Sequence, residues 1–244
     1  DRVFLDSVFR VDDYDKNGIF YTGQAKFSFN AFDSATMHLG LARAIRIPSF
    51  TELYYKDPLT EGNPGLSPEK SLTYEAGVAY KNEKLSLSSL IFLRDEDNFV
   101  DWVEVEANKW KAKNIASAKV FGIEENIRYA FNSLFALSAN YAYTNRNRND
   151  RGYIYKYGEN YARHLSSIIS LFRFGFGVQE LGITYKKTPS RSGWLLAHAK
   201  LSYNLNKNAR IFISATNIFN VEYQEIEGIP SPGRWVEGGV RIEW

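Results

Sequence analysis

The chain has no cysteine and a single methionine among its 244 residues. Disulfide staples, thiolate nucleophiles and cysteine-based metal sites are therefore excluded. Histidine is scarce, limited to His38, His164 and His198. Nowhere do eighteen apolar residues run together, so the sequence contains no membrane-spanning helix. Charge of one sign is also missing: the formal net charge is +2, from which no polyanion or nucleic-acid partner follows. Neither a Gly-x-Ser-x-Gly elbow nor a His-Glu-x-x-His pair occurs. No leader precedes Asp1, so the chain is expected either to lack its start or to be a mature form. What it has in quantity is aromatic residues, 16 Tyr and 17 Phe, within a 44% hydrophobic composition.

These residues alternate. In 19–31, Ile19, Tyr21, Ala25, Phe27 and Phe29 interleave with Thr22, Gln24, Lys26, Ser28 and Asn30. The same period of two runs through 35–45, 71–81, 134–144 and 194–205. A strand sends successive side chains to opposite faces, so each segment predicts one apolar and one polar face. Residues 1–12, 84–103, 111–131, 161–174, 178–187, 209–217 and 235–244 complete twelve expected strands. Two blemishes stand out: Leu90 and Phe92 break parity, and Glu125 sits on the apolar side. A mean hydropathy of −0.36 does not argue against a membrane, because alternation cancels in any window average.

The connections carry more information than any one strand. Short turns rich in Asn, Gly and Asp, at 32–34, 82–83, 132–133, 175–177 and 205–208, alternate with generally longer links at 13–18, 46–70, 104–110, 145–160, 188–193 and 218–234. Transmembrane barrels connect their strands in this way, with short periplasmic turns and longer external loops. A soluble β-sandwich would show the alternation. It would not account for Tyr and Phe near strand ends on the apolar face, nor for a chain that stops on Trp244. The last strand ends Glu237, Gly239, Ile242, Trp244, which resembles the C-terminal assembly signal of bacterial outer-membrane proteins. The expected fold is all-β: an antiparallel transmembrane β-barrel, with 1–244 as one domain.

Longer motifs narrow this. Arg43-Ala44-Ile45-Arg46-Ile47-Pro48-Ser49-Phe50-Thr51-Glu52-Leu53-Tyr54 is followed by Gly62-Asn63-Pro64-Gly65-Leu66-Ser67-Pro68-Glu69-Lys70-Ser71 and then Tyr74-Glu75-Ala76-Gly77. With Phe121-Gly122-Ile123-Glu124 and Asn217-Ile218-Phe219-Asn220-Val221-Glu222-Tyr223, this order resembles the TonB-dependent outer-membrane receptors over residues 20–244. On physical grounds the prolines shape an ordered loop, Glu69 and Glu75 can accept bonds from Arg43, Arg46 or loop amides, and Asn217 and Asn220 can hold a turn. The resemblance implies a barrel of about 22 strands, of which these would be the last twelve, with the plug and early strands absent. It also implies outer-membrane uptake of a metal chelate, cobalamin or a ferric siderophore, driven by TonB through a plug not present here, with no enzyme activity and no cofactor. Outer-membrane lipid, lipopolysaccharide and the barrel assembly machinery would be the remaining partners.

Haem receptors of that family carry a His between the basic-x-Pro and Asn-Pro-x-Leu motifs, and 49–62 has none. Aromatic faces and arginines suit a flat or anionic chelate. The expected ligand contacts, placed in external loops, are Tyr54, Tyr55, Trp102, Trp110, Arg146, Arg148, Arg151, Tyr153, Tyr155 and Tyr157. Tyr and Trp at such heights also serve as membrane-interface belts, and Arg as a lipopolysaccharide contact. Two other readings are a passive twelve-stranded channel and a hydrolase on a barrel, for which His164 would be the histidine to test.

Overall fold

The computed structural model describes residues 2–15, 18–149, 152–158, 160–226 and 228–243, apart from the side chains of Ala116 and Asn149. Arg151 and Trp244 lie outside the described residues. The strands are β1 (Val3–Tyr14), β2 (Gly18–Phe32), β3 (Ala35–Arg46), β4 (Thr60–Glu61), β5 (Glu69–Lys81), β6 (Leu85–Glu106), β7 (Lys109–Ala130), β8 (Phe135–Asn149), β9 (His164–Phe174), β10 (Gly177–Lys187), β11 (Trp194–Asn204), β12 (Ala209–Thr216) and β13 (Trp235–Ile242), with one helical turn, α1 (Phe50–Tyr54). The twelve long strands follow chain order in the sheet, and β4 pairs with β7 off this path. The all-β, meandering expectation is thus met strand for strand. No helix among the described residues is long and apolar enough to cross a membrane.

The chain forms two compact units. One comprises residues 1–78, 90–123 and 144–161, and the other 79–89, 124–143 and 162–244. In the first, the register sets Leu5 opposite Phe27 and Leu39 opposite Phe27 from the other side, with Val11 opposite Tyr21 and Met37 opposite Phe29. Val3, Leu5, Phe9, Val11, Ile19, Tyr21, Phe27, Phe29, Met37, Leu39 and Leu41 therefore share one face, and all are exposed. Lys26, Gln24, Ser28 and His38 occupy the other. An exposed apolar face this broad needs a non-aqueous neighbour.

The second unit repeats the pattern over β9–β13. Ile168, Ile183 and Ala197 line up across three strands, as do Leu201, Ile213 and Gly238, and Tyr203, Ile211 and Val240. Three of the short turns are closed by asparagine. The Oδ1 atoms of Asn82 and Asn132 each accept two amide bonds, from Lys84 and Leu85 and from Leu134 and Phe135, and that of Asn206 accepts the amide of Asn208. An Asx turn of this kind ends one strand and starts the next without spending a ladder bond.

Of the three residues that break the alternation, Phe92 and Glu125 have local partners. Phe92 is on the polar face, where its ring covers Gly122 of the next strand. Glu125 is on the apolar face and accepts a 2.6 Å bond from the Ser89 hydroxyl across the strands.

Candidate functional site

β6 and β7 are 22 residues each, whereas β5 has 13 and β8 has 15. A strand needs only about 9–11 residues to cross a bilayer, so the distal part of this hairpin projects past its neighbours. Its outward positions confirm where the crossing ends. On β6 the apolar row stops at Leu93, and Asp95 and Asp97 follow at the same parity, both exposed. This corrects the expected loops at 104–110 and 145–160. The chain stays in strands to Glu106, turns at 107–108 with Asn108 at φ 61°, and resumes at Lys109. Trp102, Trp110, Arg146 and Arg148 accordingly stand on strands.

Strand edges that outrun their neighbours must be covered. Two loops do this. The loop after β3 sets β4 parallel to β7 at Trp110–Lys111, with the Trp110 amide donating to Leu59 O at 2.7 Å. The loop after β8 lies along β6: Tyr155 bridges to Val103, Glu104 N donates to Ile154 O at 3.0 Å, and Lys156 N donates to Trp102 O at 2.9 Å. Between them, Leu66, Val100, Trp102 and Ala112 are buried together, with Leu53 and Trp110 packed against them. Trp102, only 8% exposed, is an anchor of this small core and offers no free ring face.

The 47–68 loop is built on Arg46. Its guanidinium donates to Glu52 at 2.9 and 3.0 Å and to Glu69, with Nε–Oε2 at 2.7 Å. Glu69 also accepts the Val100 amide at 2.7 Å, tying the loop to the hairpin. Ser49 and Glu52 form a capping box at the start of α1, the arrangement that satisfies two orphan amides reciprocally. Partial burial raises the affinity of Glu52 for a proton, but the Arg46 and Ser49 bonds outweigh it and hold the carboxyl below the usual range. Gly62 closes the turn: a Cβ there would lie 2.8–2.9 Å from the backbone of Leu53 and Glu52, and its amide donates to Tyr55 O at 2.7 Å. The turn presents its rings outward. Phe50 is 83% and Tyr54 49% exposed, with centroids 5.6 Å apart. Tyr55 is exposed and donates its hydroxyl to Asp57 at 2.9 Å.

The 152–158 segment is built on Asp101. This carboxylate is 3% exposed, and its Oδ1 accepts amides from Trp102 at 2.7 Å and Tyr157 at 3.3 Å. Burial pushes its pKa up to about 6, with those amides and the Arg148 charge opposing the rise. Arg148 donates from Nη2 to Gly158 O at 3.0 Å and lies over the Tyr155 ring at 4.5 Å. A side chain at 158 would collide with it, because a Cβ would sit 2.4 Å from Nη1 and 2.8 Å from Asp101 Oδ2. Arg146 is likewise committed, to Glu96 at 3.3 Å and over Phe99 at 4.7 Å. Tyr153 stacks under Lys113 at 4.9 Å and meets Tyr155 edge-on at 6.5 Å. Tyr157 is 50% exposed, and Lys156 approaches both it and Trp110 at 5.7 Å. Of the expected contacts, then, Tyr54, Tyr55 and Tyr157 face solvent, while Arg146, Arg148, Trp102 and Tyr155 mainly hold the scaffold. Phe50, Asp101 and Lys156 escaped the sequence reading. An aromatic one helical turn before Tyr54 was the signal for Phe50; nothing in the sequence marked Asp101.

The second unit carries a groove of about 1080 Å³ under the 218–234 loop. Trp194 and Tyr223 meet there at 4.9 Å, Lys186 pairs with Glu225, and Arg191 donates to Gln224 O at 3.2 Å. Asn217 (φ 47°) accepts the Val221 amide at 2.8 Å and donates to Val221 O at 2.9 Å, and Asn220 (φ 53°) accepts the Arg234 amide at 2.8 Å. Both asparagines act as turn holders, as their motif suggests. His164 lies beside Tyr141 Oη at 2.9 Å and the Tyr143 ring at 5.2 Å.

Comparison with known proteins agrees with this geometry. The vitamin B12 transporter BtuB of Photobacterium profundum is 22% identical over 240 residues, covering 91% of this chain and 39% of that protein. The chain thus spans well under half the length of this relative. Among solved structures, the copper transporter OprC superposes with a TM-score of 0.83 at 16% identity, over 100% of this chain and 45% of that one. The siderophore receptor PirA from Pseudomonas aeruginosa gives 0.77 at 18% identity, over 99% and 43%. A sequence model of the family described as TonB dependent receptor-like, beta-barrel matches residues 4–218. The chain belongs to this family of outer-membrane β-barrel receptors, which are transport proteins rather than enzymes.

Proposed function

We propose that this chain is the C-terminal barrel portion of a receptor that takes up a metal chelate, cobalamin or a ferric siderophore, across the outer membrane with TonB-supplied energy. Its twelve long strands would be the last twelve of about 22. The observation that carries the reading is family membership combined with the exposed Phe50, Tyr54, Tyr55 and Tyr157 on two loops braced by the distal hairpin. Planar rings on a rigid support stack on flat or aromatic chelates at low entropic cost. Lys113 and Lys156 beside Tyr153 and Tyr157 add positive charge suited to an anionic complex. Tyr153, Tyr155, Trp110, Arg146 and Arg148 shape this surface from below, and Arg151, outside the described residues, stays a proposed contact on its sequence alone. TonB would act through a plug outside this chain, lipid and lipopolysaccharide would surround the apolar face, and the assembly machinery would read the strand ending at Trp244. The chain itself catalyses no reaction in this scheme.

The test is uptake of labelled cobalamin and of a ferric catecholate by cells whose only receptor is the whole protein. Uptake of either chelate that stops when TonB is removed is expected. Transport of a glycan in place of both would overturn the substrate assignment, and TonB-independent passage would favour a passive channel.

A further inference from the structure

Glu125 is out of place on its strand. The outward row of β7 reads Lys119, Phe121, Ile123, Glu125, Ile127, Tyr129. Lys119 marks one end of the apolar span, and the Tyr129–Phe131 ring pair, 4.8 Å apart beside the turn, marks the other. The carboxyl therefore stands near the middle of the span that faces lipid. Its Oε1 accepts the Ser89 hydroxyl of β6 at 2.6 Å. Among the described residues, Oε2 takes no hydrogen bond and no ion pair. A lone serine on such a face returns its hydroxyl to the sheet, as Ser170 does to Leu181 O at 3.4 Å. A half-bonded carboxyl in hydrocarbon is costly, and an ionisable group kept there marks a partner.

The surroundings are small and polar as well. On β9 the outward row is Ser166, Ile168, Ser170. The corresponding rows of β10 and β12 carry Leu181 and Ile183, and Ile211 and Ile213, with no serine or charge among them. All of these residues belong to the second unit. Within a membrane, small side chains let two proteins approach closely and polar ones join them.

The patch is also self-complementary. Ser89 and Glu125 are bonded across neighbouring strands and so lie at one depth. A two-fold axis along the membrane normal preserves depth, and it lays Glu125 of one copy against Ser89 of the other, and the reverse. Within each copy the Ser89 hydroxyl donates to Glu125. Between copies a neutral Glu125 carboxyl donates to the Ser89 oxygen. The four groups then close a ring in which each donates once and accepts once, with no cation required. We propose that this face of β6, β7 and β9 is the contact between two copies of the receptor within the outer membrane, centred on Ser89 and Glu125. The inference rests on the lipid-facing placement of this face and is independent of which chelate is transported.

The test uses the whole receptor, freed of any cysteine elsewhere, with Ile127→Cys on the outward row beside Glu125; Ile127 is exposed. Outer membranes are treated with a short bifunctional maleimide, and the purified protein is weighed by light scattering. Cross-linked pairs and a two-copy mass are expected. Glu125→Leu and Ser89→Ala should each lower the cross-linked fraction several-fold. Glu125→Gln should keep it, because a carboxamide also donates and accepts. A cysteine placed instead at Leu201, exposed on β11, should not cross-link. Every variant should run as a folded barrel on an unheated gel, and Ser89→Ala carries the decision if Glu125→Leu does not. Absence of cross-linking through Ile127→Cys with Glu125 in place, or cross-linking that survives loss of the Glu125 carboxyl or the Ser89 hydroxyl, overturns the assignment.

Discussion

Asp101 should make the docking of the 152–158 segment stronger in acid. The carboxylate is 3% exposed, and burial raises its pKa from 3.8 to about 6 when the segment covers it. The covered form therefore binds more protons than the open form between those values, and docking weakens as pH rises through that window. The full difference is roughly 3 kcal/mol at about 1.4 kcal/mol per pH unit. Acidification from about pH 7.5 to about pH 5 uses roughly half of it, about a tenfold gain in the docking equilibrium. This chain has no cysteine, so in a whole receptor freed of any cysteine elsewhere, Ile154→Cys, exposed on the segment, carries a spin label whose mobility reports docking. Asp101→Asn keeps an oxygen acceptor for the Trp102 and Tyr157 amides while removing the buried charge. It should dock at least as well as wild type at neutral pH and lose the pH response. Asp101→Ala strands both amides and should weaken docking by about 1–3 kcal/mol. If the wild-type label becomes more mobile in acid, or Asn behaves like Ala at neutral pH, then attraction between Asp101 and Arg148 outweighs burial and the reasoning is wrong.

The 47–68 loop should respond to pH in the opposite sense. Arg46 and Ser49 hold the Glu52 carboxyl below its usual range, so its contribution is present above about pH 4.5 and disappears as pH falls through the lowered value; proteolysis of this loop should accelerate only in strong acid. Arg46→Ala should expose the loop to protease at neutral pH, and Arg46→Lys should restore it in part, because a point charge cannot serve both carboxylates as the planar fork does. Gly62→Ala brings a Cβ against backbone atoms that cannot give way and should cost about 1–3 kcal/mol, seen as lost uptake with barrel assembly intact. Leu39→Arg, on the apolar face, should lower folding stability by about 2–4 kcal/mol near the bilayer midplane, while Gln24→Arg on the polar face should be nearly silent by the same unfolding titration. Deleting Trp244 should reduce surface expression.

The strands that face lipid on one side and water on the other were legible, because a two-environment sheet writes its period into the residues. The stretch 71–81 and the stretch 194–204 show this plainly. The two strands of the distal hairpin were legible as well, at 84–103 and 111–131, but the enclosure of its tip was not. Val100, Asp101, Trp102 and Val103 are all buried in succession, since one loop covers one face and edge and the second loop covers the other. A strand enclosed on both sides loses its alternation, so the parity of 84–103 does not show that 100–103 are buried, nor that strand continues through the loop expected at 104–110 as far as Glu106. The same enclosure misdirected the arginines. Arg146 and Arg148 next to tyrosines look like ligand contacts, yet their partners, Glu96 and Gly158, are distant in sequence or carry no side chain at all. Motif residues fared better: Glu69 does accept from Arg46, and Asn217 and Asn220 do close turns, because a short motif encodes its own local geometry.

The central claim is that the braced distal hairpin presents its exposed rings to a chelate at the cell surface while the apolar face below meets lipid. Single cysteines at Tyr54, Tyr157 and Leu93 of the whole receptor, labelled on intact cells with a membrane-impermeant maleimide, test it directly. The account predicts ready labelling at 54 and 157, slowed by saturating cobalamin or ferric catecholate, and no labelling at 93. Free labelling at 93, or labelling at 54 and 157 that neither chelate slows, would contradict it.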